Sequence, residues 1–315
     1  MLLLCGPAAS ACDACNPKRQ RGELPLIIES VPNFSEGRDP VIVAGIAQAV
    51  SSVPGASLLD TTSDADHNRS VLTFAGSPEA IAQAAFAAVE AAVERIDISR
   101  HAGVHPRIGA ADVVPLVPVN GLTLEDCAEL ARKLGGRIWD ELDVPVFLYE
   151  AAALRPECRR LENVRRLAPA GHEPDFGVGR HPTAGASVVG ARKFLIAWNI
   201  NLRTTDVSVA RAIAKAIRES SGGLPAVKSI GLPLESRGEV QVSINLVDFE
   251  RTPLYVVFDA VKERCDRLGI ELAGSELIGM IPAAALKSSE GHDLQWQNFR
   301  DDLVLENRLG LSAPR

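Results

Sequence analysis

Apolar residues recur at helical spacing over residues 40–53 and again over 78–96, with polar residues between them. The second segment follows Ser77 and Pro78, an N-cap and a first-turn proline that fix its start. Short apolar runs bounded by turn residues read as strands at 26–31 (LIIESV), 56–60 (ASLLD) and 69–75 (RSVLTFA). The polar stretch TTSDADHN, 61–68, reads as the loop between the last two. Residues 111–119 (ADVVPLVPV) read as a further strand. Its Pro115 and Pro118 predict an edge or irregular one, because proline has no N–H to give a ladder. Thr123 then caps a helix to about Leu142, and residues 144–149 form another strand.

The same order returns from Lys193 onward. KFLIAWNINL is a strand, 205–220 a helix, VKSIGLPL and EVQVSINLVDF two strands, 253–268 a helix, and IELAGSELIGMIP a strand. Each half therefore reads β-α-β-β-α-β, and the first adds α-β. That order is the split βαβ unit. It predicts an α/β (α+β) fold of two tandem ferredoxin-like subdomains, residues 24–178 and 179–315, with a cleft between them. Residues 155–190 join the halves, opening as a helix (RPECRRLENVRRL) and turning rich in Gly and Pro. Residues 294–310 read as one closing helix. Residues 1–23 read as a disordered extension: Leu2-Leu3-Leu4 has no basic stretch before it and too short an apolar run for a signal peptide.

Composition narrows the function classes. Hydrophobic residues make up 46% of the 315, enough for a proper core, and the formal net charge is −7. Acidic balance without clustered Lys and Arg argues against nucleic acid and anionic membranes. No apolar run is long enough to span a bilayer. The cysteines are scattered, and the one CxxC, Cys12 and Cys15, lacks the second pair a zinc site needs. Free thiols of this kind suit a reducing, cytoplasmic setting.

Three segments carry candidate chemistry. RHAGVHPRIGA, 100–110, places His101, His105, Arg100 and Arg107 in a loop between a helix and a strand. Imidazole titrates near neutrality, and Pro106 holds His105 extended, so His105 is the first candidate acid–base group. His101 serves equally well as a surface or helix-capping residue. DADHNRS, 64–70, groups Asp64, Asp66, His67, Asn68 and Arg69 in a turn. A metal reading of these His and Asp residues needs His101 and His105 on one helix face. Gly103 and Pro106 oppose a helix there, so no metal is expected. The third segment, 174–192, has glycines that permit close backbone approach to a flat ligand, without the spacing of a nucleotide fingerprint.

Several blocks together resemble the glutamate formimidoyltransferase family. They are VPNFSEGRD (31–39), HNRSVLTFAG (67–76), IDISRHAGVHPRIGAADVVPLVPV (96–119), VPVFLYEAA (144–152), EPDFG (173–177), GARKFLIAWNINL (190–202), VQVSINLVDFERTP (240–253) and GSELIGMIP (274–282). The resemblance covers residues 25–286 in order. It implies an enzyme that passes a formimidoyl group from N-formimidoyl-L-glutamate to tetrahydrofolate, a co-substrate, without metal. It implies a tunnel between the subdomains, His105 of H-P-R as the catalytic residue, and a homodimer. It places the folate-binding segment at Gly177, Val178, Gly179, Arg180, His181, Pro182, Thr183, Ala184 and Gly185, where the sequence departs from the animal pattern. Both substrates carry glutamate carboxylates. Arg107 and Arg69 are the nearest candidates to hold them, with Asn68 and Asn33 as further substrate-binding candidates. No cyclodeaminase domain is expected within these residues. A formyl donor, a metal-dependent hydrolase of the same donor and a non-catalytic folate-binding module are the alternatives.

Overall fold

The computed structural model describes residues 25–65, 68–101 and 107–311. The chain builds two sheets, each covered by helices on one face, in the tandem α/β arrangement that the alternating pattern predicts. The first unit opens with β1 (Ile27–Ser30) and β2 (Asn33–Phe34), two parts of one path interrupted around Pro32. Then come α1 (Pro40–Ser51), β3 (Ala56–Asp64), β4 (Arg69–Gly76), α2 (Pro78–Arg95) and β5 (Ala111–Asn120). β3 pairs with β4, β4 with β1 and β2, and these with β5, all antiparallel. After α3 (Leu124–Leu142), β6 (Val146–Glu150) and α4 (Leu161–Leu167), β7 (Ser187–Ala191) inserts between β5 and β6, parallel to both.

The second unit runs β8 (Ile196–Leu202), α5 (Val207–Ile217), β9 (Val227–Leu234), β10 (Glu239–Leu246), α6 (Leu254–Leu268), β11 (Leu272–Ile278). Its antiparallel sheet has the order β11-β8-β10-β9, so each crossover helix skips one strand position. The strand order β3-β4-β1/β2-β5 of the first unit repeats it.

Caps set the helix starts. Asp39 accepts from Val41 N and Ile42 N ahead of Pro40, and Thr123 closes a capping box with Asp126. Each cap contributes about 1 kcal/mol. Helices α1, α2 and α3 bury Ile28, Leu72, Phe74, Val114 and Leu116 on one sheet face. Helix α4 covers part of the opposite face, packing Val164 with Val113, Phe147 and Val188. In the second unit α5 and α6 bury Ile196, Trp198, Ile200 and Leu202. A smaller cluster, in which Ile27, Leu59 and Ala75 meet Met280 and Leu305, joins the two units. Lys228 of β9 adds an ion pair to Glu162 of α4 at 2.5 Å.

The differences from the sequence pattern have local causes. β3 extends through Asp64, because Thr61 to Asp64 pair with Arg69 to Leu72 despite their polar character. β5 is an interior strand rather than an edge, and register shifts opposite β1 and β2 absorb its irregularity. β7 lies inside the stretch read as a linker, so the first sheet extends past the expected division after residue 178. Residues 294–310 are not one helix. Residues 295–298 run beside β11 through Ser275 N to Gln295 O and Gln297 N to Ser275 O, and only Leu305–Arg308 (α8) is helical after a 3-10 turn. The expected extension, residues 1–23, lies outside the described residues. Among the described residues no helix is long and apolar enough to cross a membrane.

One contact ties β5 to the segment before β7. Ala110 N donates to Ala184 O at 2.8 Å, and Ala186 N to Ile108 O at 3.0 Å. A Cβ on Gly109 would stand 1.9 Å from the Ala186 carbonyl oxygen, against rigid backbone. Gly109→Ala is therefore expected to cost about 3 kcal/mol, within the range for overpacking at a buried site. Urea unfolding of the variant beside the wild type checks this, and an unchanged midpoint contradicts it.

Candidate functional site

A cavity of about 670 Å³ lies between the two sheets. That is the size of a small-molecule site. The first sheet contributes Glu29, Asn33, Arg69, Thr73, Val113 and Tyr149, from the face opposite α1, α2 and α3. The second contributes Lys228, Asn245, Asp248, Ile278 and Met280. Arg165 of α4 and Arg192 at the end of β7 complete a basic side.

Three loops meet at one end of this wall. Asn68, at φ 46°, accepts Gly37 N on its Oδ1 at 2.9 Å. A Cβ on Gly37 would collide with the Asp64 and Arg69 backbones, so the S-E-G turn needs glycine there. Ser35 N donates to Ala110 O and Ser35 Oγ to Gly109 O, at 2.8 and 2.7 Å. Glu36 Oε1 accepts from Arg38 N and Asp39 N, which closes the turn locally. The V-P-N-F-S-E-G block thus holds the 64–69 hairpin against the I-G-A segment.

Arg107 lies where these loops join. Its Nη1 donates to Asn68 O at 2.9 Å and lies 2.7 Å from His101 Nε2. Burial, then the Arg107 charge, hold His101 below its ordinary pKa, so the ring is neutral near pH 7, and its Nε2 also lies 3.1 Å from Asn68 O. Asn68 is buried and its amide oxygen is committed to Gly37, so its side chain anchors the loop. Asn33 and Arg69 face the cavity.

A β-bulge shapes the wall beside them. Asn33 pairs with Val113 but Phe34 pairs with Ala111, which leaves Asp112 as the extra residue of β5. Ala111 packs under the helices and Val113 on the opposite side. Buried Asp112 accepts Ile108 N on Oδ1 at 2.8 Å and Arg165 Nη2 on Oδ2 at 2.7 Å.

The expected folate-binding segment lies elsewhere. Gly177, at φ 85°, packs its backbone against the Trp139 ring. Asp175 and Phe176 before it have structural partners: Asp175 Oδ2 accepts Leu148 N, and Phe176 lies on Gly135 and Gly136 of α3. Val178, Gly179 and Arg180 are exposed. His181 to Gly185 form a turn in which Nδ1 of His181 accepts Ala184 N at 2.9 Å; Thr183 O also accepts Ile98 N. Arg180, His181, Pro182 and Gly185 line a second cavity of about 560 Å³ with His101, Arg107 and Ser99. Arg107 thus belongs to this groove, while Arg69 and Asn33 belong to the larger cavity. His105 and His67, with Asp66, lie outside the described residues.

Burial shifts several groups on the wall. It pushes the Glu29 carboxyl up to about 7, with Arg192 opposing and Glu306 reinforcing the rise. It raises Tyr149 to about 12. Away from the wall, in the helix-packed cores, it raises Cys127 and Cys265 to about 11, which leaves both buried thiols protonated and unreactive. Glu29, Asp112 and Arg165 escaped sequence reasoning. The signal for the first two was a single acid inside an otherwise apolar strand, LIIESV and ADVVPLV. Arg165 had none, because one arginine in a polar helix resembles solvated surface.

Comparison with known proteins bears on the whole chain. The family model of the formiminotransferase domain, N-terminal subdomain, matches residues 27–192, and that of the formiminotransferase domain matches 197–308. Over 294 residues the chain is 44% identical to a glutamate formimidoyltransferase of Streptococcus pyogenes serotype M1, covering 90% of this chain and 98% of that one. A glutamate formimidoyltransferase of Thermoplasma acidophilum is 42% identical over 298 residues, covering 91% and 98%. The formimidoyltransferase-cyclodeaminase of Mus musculus is 42% identical over 310 residues, which is 91% of this chain and 57% of that protein. Among solved structures, a microcompartment protein from Desulfitobacterium hafniense aligns with 80% of this chain and 94% of its own at 9% identity. Its TM-score of 0.22 carries no argument.

The Glu29 shift has a measurable consequence. Its folded pKa of about 7 lies above the ordinary 4.5, so the fold keeps the proton that the unfolded chain loses first. Stability from this group is complete below about pH 4.5 and is lost as pH rises through about 7. The loss is on the order of 3 kcal/mol. Glu29→Gln should remove this slope, which thermal unfolding of both proteins at pH 5 and pH 8 compares. Parallel pH dependence in the two would contradict it.

Proposed function

Because this chain belongs to the formiminotransferase family, we propose that it transfers the formimidoyl group of N-formimidoyl-L-glutamate to tetrahydrofolate, releasing L-glutamate and 5-formimidoyltetrahydrofolate. The observation that carries this reading is the 44% identity to a glutamate formimidoyltransferase over nearly its full length. The same identity favours transfer over the hydrolytic and non-catalytic alternatives. A small-molecule cavity with a basic side suits substrates that carry glutamate carboxylates.

The chemistry asks for two proton movements. The N5 amine of the folate forms a bond to the amidine carbon, and the bond from that carbon to the glutamate nitrogen breaks. The attacking nitrogen loses a proton and the leaving nitrogen gains one. One imidazole can take the first and return the second, so no covalent enzyme intermediate is needed. His105 is our candidate, two residues before an Arg107 that the Asn68 carbonyl anchors. Neutral His101 beside Arg107 contributes to the loop's placement. Arg69 and Asn33 are candidates to hold the donor, and residues 177–185 are candidates for folate, of which Arg180, His181, Pro182 and Gly185 line the same groove as Arg107. Holding both substrates in register supplies much of the acceleration.

A homodimer in the cytoplasm belongs to the same reading, and light scattering at micromolar concentration tests the dimer. Turnover of formimidoylglutamate by the purified protein, with and without tetrahydrofolate, tests the activity; consumption of the donor at the same rate without folate would contradict transfer. In His105→Gln, kcat should fall by about 10² to 10⁴, the usual range for acid–base groups, with folate affinity little changed. A variant that kept most of its kcat would move the proton role to another residue.

A further inference from the structure

Arg165 stands outside every motif, yet it faces the cavity. Helix α4 carries it, held to the sheet by Val164 against Val113, Phe147 and Val188. Its Nη2 meets Asp112 Oδ2 at 2.7 Å, and its side chain keeps 20% exposure. Its Nε is buried and has no hydrogen-bond partner among the described residues. A guanidinium presents five donors in a rigid fork, and one contact with Asp112 uses a small part of that capacity. Buried polar groups usually have partners, so a guanidinium at the cavity with a buried donor unmatched calls for an explanation.

The surroundings make the position positive. Arg69 lines the same cavity and lies close enough to feel the Arg165 charge, which adds to burial in lowering its pKa. Asp112 acts on Arg69 and Arg107 as well as on Arg165, so one buried carboxylate serves three guanidiniums. Asp64 also acts on Arg69. A carboxylate arriving between Arg69 and Arg165 would relieve like-charge repulsion and gain charge-assisted hydrogen bonds.

We propose that Arg165 is a substrate-binding and specificity residue that, with Arg69, seats a glutamyl carboxylate, and that Asp112 is a positioning residue which aims the Arg165 guanidinium. The inference rests on the transferase reading for the identity of the glutamyl group. Two substrates carry that group, the donor and the folate, so the shared chemistry is the glutamyl carboxylate. Asp112 links this seat to the catalytic loop, since its other oxygen holds Ile108 N one residue after Arg107.

The test uses full-length Arg165→Gln, Arg165→Lys and Asp112→Asn proteins, with circular dichroism to confirm folding. Steady-state kinetics with each substrate varied should show KM rising about 10- to 100-fold for one of them in Arg165→Gln, with kcat changed by less than about threefold. A rise for formimidoylglutamate assigns the seat to the donor, and a rise for tetrahydrofolate assigns it to the folate tail. Arg165→Lys should recover part of the loss. Asp112→Asn, whose amide oxygen can still accept Ile108 N, should raise the same KM by a smaller factor. Unchanged KM values, or a fall in kcat alone, would overturn the proposal. Calorimetric titration with L-glutamate and with tetrahydrofolate separates it from the transferase reading. If the wild type shows no turnover but binds one of these and Arg165→Gln does not, the seat stands while the reaction falls. Equal binding by both proteins, or by neither, overturns the seat.

Discussion

The backbone of Gly109 lies against that of Gly185 with no room for a side chain on either, and the organisation of the cavity rim follows from that approach. A Cβ on Gly185 would stand 2.3 Å from the Ile108 carbonyl oxygen, and its φ of 73° favours glycine. The contact brings the end of the 98–110 connection beside the 181–185 turn, two segments far apart in sequence. It also fixes where β5 begins, and so where β7 can join it in parallel. Ser35 binds the carbonyl of the same glycine, so the turn after β2 is referenced to the same point.

The two halves meet through modest means. A small apolar cluster, the Lys228–Glu162 pair and a hydrogen bond from Arg308 to Leu59 O hold them around the cavity. Half-exposed ion pairs contribute little, roughly 0 to 1 kcal/mol. The apolar cluster therefore carries most of the junction. This leaves the open sheet faces free for polar and charged residues that a packed core would exclude.

Periodicity made the fold legible because most strands face helices on one side and water or cavity on the other. Residues such as Ile196, Trp198, Ile200 and Leu202 alternate with the smaller or polar Ala197, Asn199 and Asn201 and announce a half-buried strand. The segments that escaped were those lacking that contrast. β7 is buried throughout, short and glycine-flanked, so it resembled a linker. Thr61 to Asp64 are polar on both faces, so they resembled a loop. At the site, arginines and asparagines in named blocks were visible, but their division between two cavities was not, because it depends on the loops' crossing in space. Asn68 shows the limit: its type and place suggested ligand binding, while its geometry assigns its amide to Gly37.

The bulge at Asp112 adds something that the packing of the sheet does not require. Without that residue, Ala111 would still face the helices opposite Phe34 and Val113 would still face the cavity opposite Asn33. The ladder between β2 and β5 would become regular, and each neighbour would keep its side. The strand thus carries a surplus position whose contribution is one carboxylate, tethered to Ile108 N and Arg165. A fold shaped by packing alone would be free to shed it. Its presence marks a place where the architecture and the chemistry make separate demands on the same strand.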